Sequence, residues 1–199
     1  MAASAAFFVN RRSVQIMTHT TTAKATADAP NSDPVATMSA PLAATLASAA
    51  MVLPSLMSVG SSPSLNHPRI MLWYRTLRQP WFKPPDIAIP LAWTAIEAAL
   101  ATSTYRLLRA PASSAKNQAL GWMAFNVAMI GGWSRFFFKH RNLSVSTAAA
   151  AVMVVSGAAL AAQANKVDKP AAAATLPFVA WVAFATVLTA SIWRLNRRR

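Results

Sequence analysis

The sequence predicts an all-α integral membrane protein, a five-transmembrane-helix bundle, and three observations carry that prediction. Of its 199 residues, 55% are hydrophobic and only 12% are charged, whereas soluble domains carry about a quarter charged residues. Asp, Glu, Lys and Arg are absent between Asp33 and Arg69, and from 117–134, 142–165 and 170–193, while 87–105 carries Glu97 alone. Each charge-free run approaches or exceeds the roughly 20 apolar residues that a helix needs to cross hydrocarbon. The spans fall near 38–60, 87–108, 118–138, 143–165 and 171–193.

Residues 1–37 differ from the rest. They are rich in Ala, Ser and Thr, carry Arg11, Arg12 and Lys24, and hold no acid before Asp28. That composition suits an N-terminal targeting segment, with a disordered tail as the alternative; residues 38–199 form the membrane domain. The first span has Pro41 near its start and Pro54 inside, where a proline kinks a helix unless neighbours restore the lost bond. Between the first two spans lies Trp73-Tyr74-Arg75-Thr76-Leu77-Arg78-Gln79-Pro80-Trp81-Phe82-Lys83-Pro84-Pro85. Prolines fix φ and withhold donors, so this basic, aromatic stretch is expected to be neither helix nor strand and to roof a cavity. The second span has Pro90 in its first turns, and Pro111 ends its pattern. In the third, Gly131-Gly132 lets a neighbouring backbone approach. Ala and Val dominate the fourth, which is lined with small residues around Ser156-Gly157; Pro177, Phe178, Trp181, Phe184 and Trp193 mark the fifth.

A net charge of +14 raises the question of nucleic acid. Here the cations sit in loops and tails between apolar runs and read as topology signals, so no nucleic-acid partner is expected. Arg69, Arg75, Arg78, Lys83, Arg135, Lys139, Arg141, Arg194 and 197–199 fall on one side, outnumbering Arg106, Arg109, Lys116, Lys166 and Lys169. The positive-inside rule then puts the C-terminus and the proline loop in the cytosol. An organellar membrane, mitochondrial or plastid, or an endomembrane is the expected location. Cysteine is absent, which excludes disulfides and thiolate sites. The five acids and three histidines show no catalytic or metal-ligand spacing, and no HExxH, GxSxG or phosphate-cradling loop occurs. No catalytic residue and no metal are expected.

What remains is aromatic. Trp122 and Trp193 suit an interfacial belt. Trp93 and Trp181 lie about a third to halfway into their spans, too deep for a belt, and flat rings under a proline lid suit a flat apolar ligand. Glu97, the ionisable group inside a span, is a functional candidate by default; the alternative is a protonated carboxyl satisfied by a neighbouring hydroxyl. Asn126 is either helix–helix glue or a ligand contact.

Three motifs carry a resemblance. The run Trp73-Tyr74-x-x-Leu77-x-x-Pro80-x-Phe82-x-Pro84-Pro85, followed by Pro90-x-x-Trp93-Thr94, resembles the translocator protein (TspO/MBR) family. Trp133-Ser134-x-x-Phe137-Phe138 is similar to the end of that family's third helix, and Leu176-Pro177-Phe178-x-x-Trp181-Val182-x-Phe184 to its fifth. The resemblance implies a bundle of five membrane helices, often dimeric, that binds tetrapyrroles, sterols and synthetic ligands beneath the loop after helix 1. Carried over by position, it implies a pocket of Trp73, Tyr74, Trp93, Asn126, Trp181 and Phe184, with Pro84 and Pro85 in the lid and Glu97 and Ile130 at neighbouring pocket positions. Some bacterial members degrade protoporphyrin in light with two pocket tryptophans, here Trp93 and Trp181.

Departures accompany the likeness. The family's Gln-x-x-x-Asn on helix 3 is Asn126 and Ile130 here, its helix 2 Tyr is Glu97, its Asn-Tyr pair on helix 5 is Thr189-Ala190, and the aromatic before helix 2 is Ile87. Losing the tyrosine at Ala190 argues mildly against sterol binding. The expected function is binding of a planar hydrophobic molecule, a porphyrin or haem, with sterol as a second class, in transport, scavenging or sensing and with no obligatory cofactor. The alternatives are light-dependent porphyrin breakdown and a structural subunit of a membrane complex. The lipid bilayer and a second copy, forming a homodimer, are the expected partners.

Overall fold

The computed structural model describes residues 37–63 and 66–197; residues 1–37, expected to be a targeting or disordered segment, lie outside them apart from Thr37. Among the described residues every regular element is helical: α1 (Ala40–Ser58), α2 (Pro68–Thr76), α3 (Ala88–Arg109), α4 (Ser114–Ser134), α5 (Leu143–Asn165) and α6 (Lys169–Asn196). A 3-10 turn, Val59–Ser61, extends α1, and a π-helical turn, Arg135–Lys139, extends α4. Three helical stretches, Ala40–Ser61, Leu143–Asn165 and Lys169–Asn196, are long and apolar enough to cross a membrane. The helices α3 and α4 occupy the second and third expected spans at similar length, but α3 carries Glu97 and ends in Arg106 and Arg109.

Helix boundaries follow local chemistry. The Ser113 hydroxyl accepts the Lys116 amide, the Asn142 side chain accepts that of Val145, and the Asp168 carboxylate accepts that of Ala171, each supplying a partner to a first-turn N–H. Pro41, Pro68 and Pro170 stand in the first turns of α1, α2 and α6, where a missing N–H costs nothing. The end of α3 is tied by the Ala110 amide, which donates to the carbonyls of Arg106 and Leu107 at 3.1 and 3.2 Å; Pro111 follows and cannot continue the helix.

The proline-rich stretch is a correction. Trp73 and Tyr74 lie in a helix, α2, rather than in irregular chain. The reason is positional: Pro68 sits at the helix start, and the next proline is Pro80, beyond Thr76. Only 77–87 is irregular, held by two turns in which Lys83 N–H donates to Pro80 O and Ala88 N–H to Pro85 O.

The five long helices close a ring: α1 packs against α3 and α4, α4 against α5, α5 against α6, and α6 back against α3. Small residues set two of these seams. A Cβ on Gly131 of α4 would lie 2.7 Å from Met57 Sδ and 3.2 Å from Pro54 Cα of α1, so only glycine admits this approach. The neighbouring Gly132, expected to share that role, has open space around its Cα. A Cβ on Gly157 of α5 would sit 3.0 Å from the Phe178 ring of α6. Leu100, Leu107, Leu160, Phe178 and Val182 are buried at 2% exposure or less and form the centre of the core. Outside the ring, α2 docks on the π-helical turn.

Candidate ligand-binding site

Helices α3 and α6 run antiparallel and are joined by side chains at two levels. At one end the Arg106 guanidinium donates two hydrogen bonds to the Asp168 carboxylate, from Nε and Nη2, both 2.9 Å. These bonds, first, and those from the Ala171 amide and the guanidinium charge, hold the Asp168 carboxyl below the usual carboxylate range against the opposing effect of burial. Midway, the rings of Trp93 and Trp181 meet edge to face, centroids 6.5 Å apart and planes at 80°. Each indole is thirteen residues from its ion-pair partner, about 20 Å along the helix at 1.5 Å per residue. The salt bridge therefore sets the register that brings the two indoles level.

Above the indoles the aromatic contacts continue toward the irregular lid. Trp181 meets Phe184 at 5.6 Å, Phe184 meets Phe82 of the lid at 6.4 Å, and Phe82 meets Trp81 at 5.8 Å. The last two pairs are edge to face and each contributes about 0.5–1.5 kcal/mol beyond the area it buries, while the Trp181–Phe184 planes are tilted at 44°. At the top, Asn196 joins α6 to the lid by its side chain. Its Oδ1 accepts the Arg78 amide at 3.0 Å, and its Nδ2 donates to the Arg78 carbonyl at 2.9 Å and to Ile192 O at 2.7 Å.

The remaining expected site residues separate from this column. Trp73 and Tyr74 belong to a second aromatic cluster that seats α2 on the end of α4. Trp73 meets Phe137 at 6.0 Å, Tyr74 meets Phe137 at 6.3 Å and Phe138 at 5.7 Å, and Phe137 stacks on Trp133 at 4.9 Å. Cations cover both outer rings: Arg141 lies 5.4 Å from the Trp73 centroid and Lys83 Nζ 5.7 Å from that of Tyr74. Lys83 also pairs with Asp86. Arg141 adopts φ 54°, a left-handed conformation uncommon outside glycine, at the turn between the π segment and α5. Burial, with the Asp86 charge second, pushes the Tyr74 phenol up to about 12. The Trp133 indole donates to Ser146 O at 2.9 Å, tying the cluster to α5.

Asn126 is buried at the α4–α5 seam. Its Oδ1 accepts the Ser156 hydroxyl at 2.7 Å and its Nδ2 donates to Trp122 O at 2.8 Å. Of its two expected roles, the structure gives it the one between helices. Ile130 packs against the hydrophobic core. Glu97 is half-buried on α3 and has the Ser55 hydroxyl of α1 as a hydrogen-bond partner. In the lid, Pro84 is half-buried and Pro85 exposed. Trp122 and Trp193, the expected belt residues, are 38% and 39% exposed.

The single roofed chamber expected from the sequence is thus divided between two aromatic clusters and a polar seam. Two grooves flank them, the second sharing Trp81 and Phe82 with the first cluster. One, of about 300 Å³, runs between α1 and α4 past Leu53, Met57 and Met123. The other, of about 470 Å³, lies between the lid and the end of α6. Neither is walled by Trp93 or Trp181, which fill the α3–α6 seam against one another. Sequence reasoning assigned no role to Phe82 or Asn196, which join lid to bundle. Phe82 stands in the first motif-bearing run, but the contacts of both residues cross more than a hundred positions of chain and leave no local periodicity.

The TspO/MBR family model matches residues 36–194. Among curated proteins, the chain is 30% identical over 127 residues to a tryptophan-rich sensory protein of Cereibacter sphaeroides, covering 64% of this chain and 78% of that one. It is 27% identical over 129 residues to the translocator protein of Bos taurus, covering 64% and 76%. Protein CrtK of Rhodobacter capsulatus is 27% identical over 125 residues, covering 62% and 78%.

Proposed function

The chain belongs to the TspO/MBR family, and from that premise we propose that it is a multi-pass membrane protein that binds a planar hydrophobic small molecule, a tetrapyrrole, in sensing, transport or scavenging. In this reading all five long helices cross the bilayer. The observation that carries it is the column of aromatic rings from Trp93 through Trp181 and Phe184 to Phe82. A flat ligand replaces ring–ring contacts in such a column with ring–ligand stacking, so little contact is lost when the rings part. Arginines near the lid suit the propionates of a porphyrin through charge-assisted hydrogen bonds. The name of the Cereibacter relative supports a sensory role.

A titration of the purified chain with protoporphyrin, followed at the Soret band, tests this reading. Saturable binding is expected, with affinity about tenfold weaker in Trp181→Ala, the loss of one well-formed stacking contact. An unchanged spectrum, or affinity in Trp93→Ala and Trp181→Ala equal to that of the parent protein, refutes it.

The closeness of the two indoles also favours light-dependent porphyrin breakdown as a second activity of the same site. Illumination of the protein with protoporphyrin is then expected to give a product that the Trp93→Phe/Trp181→Phe variant does not form. We further propose a homodimer in an organellar or endomembrane bilayer, with the lid and the C-terminus on the cytosolic side.

A further inference from the structure

The groove between the lid and the last turns of α6 adjoins the aromatic column, shares Trp81 and Phe82 with it, and adds polar chemistry of its own. Its walls are Pro80, Trp81 and Phe82 from the lid and Ser191, Arg194 and Leu195 from α6. Trp81 is 95% exposed, its outer face in contact with nothing in the chain. Such an indole is unfavourable in water and favourable among headgroups, where its body meets apolar atoms and its N–H meets polar ones. Arg194 lies on the wall at the level where the charge-free run 170–193 ends. Arg78 and Arg197 flank the clamp made by Asn196. None of these three exposed arginines has an acidic partner among the described residues, where the ion pairs are Lys83–Asp86 and Arg106–Asp168.

The surface therefore combines unpaired positive charge and apolar walls at the depth where a membrane changes from hydrocarbon to headgroup; the Ser191 hydroxyl on its wall already donates to Val187 O at 2.8 Å. We propose that this groove binds an anionic phospholipid, its phosphate at Arg194 and its glycerol and upper acyl segments against Pro80, Phe82 and Leu195. The bilayer is the source rather than free phosphate, because the walls are mostly apolar and the fully presented indole has no use in binding a small hydrated ion. Since the groove joins lid to α6, a bound lipid would hold the Arg78–Asn196 clamp closed.

The test uses the full chain in neutral detergent, titrated with phosphatidylglycerol or with phosphatidylcholine of the same acyl chains, with bound lipid counted by native mass spectrometry. Saturable binding of phosphatidylglycerol is expected, tighter than that of phosphatidylcholine and not displaced by inorganic phosphate. Arg194→Gln should weaken it about fivefold, the contribution of one arginine near an anionic surface, and Trp81→Ala should weaken it as well. Arg75→Gln, which removes an exposed charge of α2 outside the groove, should leave it unchanged. Equal binding of the two lipids, equal effects of Arg75→Gln and Arg194→Gln, or displacement by phosphate alone would each overturn the proposal. Trp93 and Trp181 do not line the groove, so Trp181→Ala should weaken protoporphyrin binding and leave phosphatidylglycerol binding unchanged, which separates a failure of the porphyrin reading from a failure of this one.

Discussion

Asn126 offers the sharpest test of how the site is built, because its family position implies a ligand contact and its geometry makes it a link between helices. It is wholly buried, and each of its polar atoms has a partner: the Ser156 hydroxyl at 2.7 Å and the Trp122 carbonyl at 2.8 Å. An interhelical hydrogen bond in a membrane protein contributes about 0.6 kcal/mol, and at most about 1.7. Replacing Asn126 with Ala removes that bond and leaves a small void at the α4–α5 seam, so a loss of about 1.5–3 kcal/mol is expected. Ser156→Ala should cost about 1 kcal/mol, since it strands the Asn126 carbonyl oxygen in a dry seam. In Asn126→Ala the Ser156 hydroxyl is not stranded, because it has the Met153 carbonyl at 3.3 Å to fall back on, so the loss there comes from the missing bonds and the void. A double-mutant cycle of the two, measured as unfolding in mixed micelles, should return a coupling of about 0.6–1.7 kcal/mol. Protoporphyrin affinity should stay at the level of the parent protein. Additive single effects, or a loss of ligand affinity in Asn126→Ala with unchanged stability, would refute the assignment.

Three further outcomes follow from the lid and the helix ends. Asn196→Ala removes the acceptor of the Arg78 amide, and hydrogen exchange at that amide should quicken roughly tenfold; unchanged exchange would mean the lid is held elsewhere. Because the Asp168 carboxyl is held below its ordinary range in the folded protein, its contribution to stability is complete above about pH 4 and is lost as pH falls through the lower, folded value. Melting temperature should therefore drop more steeply with acid in the parent than in Asp168→Asn, and parallel slopes would count against the ion pair. In Tyr105→Phe, Tyr74 is the remaining tyrosine; with its phenol pushed up to about 12, phenolate absorbance should be absent at pH 10 and appear only near pH 12. A phenolate signal at pH 10 would mean that α2 is not seated on the π turn.

The helices were legible because their signals are local. Charge-free runs bounded by Arg, Lys, Pro and capping side chains mark 40–58, 88–109, 143–165 and 169–196 within a few residues. The small residues Gly131 and Gly157 announce close helix approach without naming the neighbour. The failures are also local in origin. Proline content disguised α2, since composition averages over a stretch in which only Pro68 touches the helix. The third span was read as one helix to 138, whereas the backbone passes into a π turn at Arg135, where His140 N–H reaches Arg135 O at 2.8 Å. Such a change of pitch carries no hydropathy signature.

By itself, the sequence determined that this chain is helical, rich in apolar runs of spanning length and studded with tryptophan, because those properties depend on residues near one another along the chain. The tertiary structure alone decided which aromatics share a cluster. Trp93 finds Trp181 because Arg106 and Asp168 fix the register of α3 against α6, while Trp73 and Tyr74 are drawn to Phe137 by the docking of α2 on the far side of the ring. Those pairings arise from the order of helices around the bundle, which packing at Gly131 and Gly157 permits and no periodicity along the chain encodes.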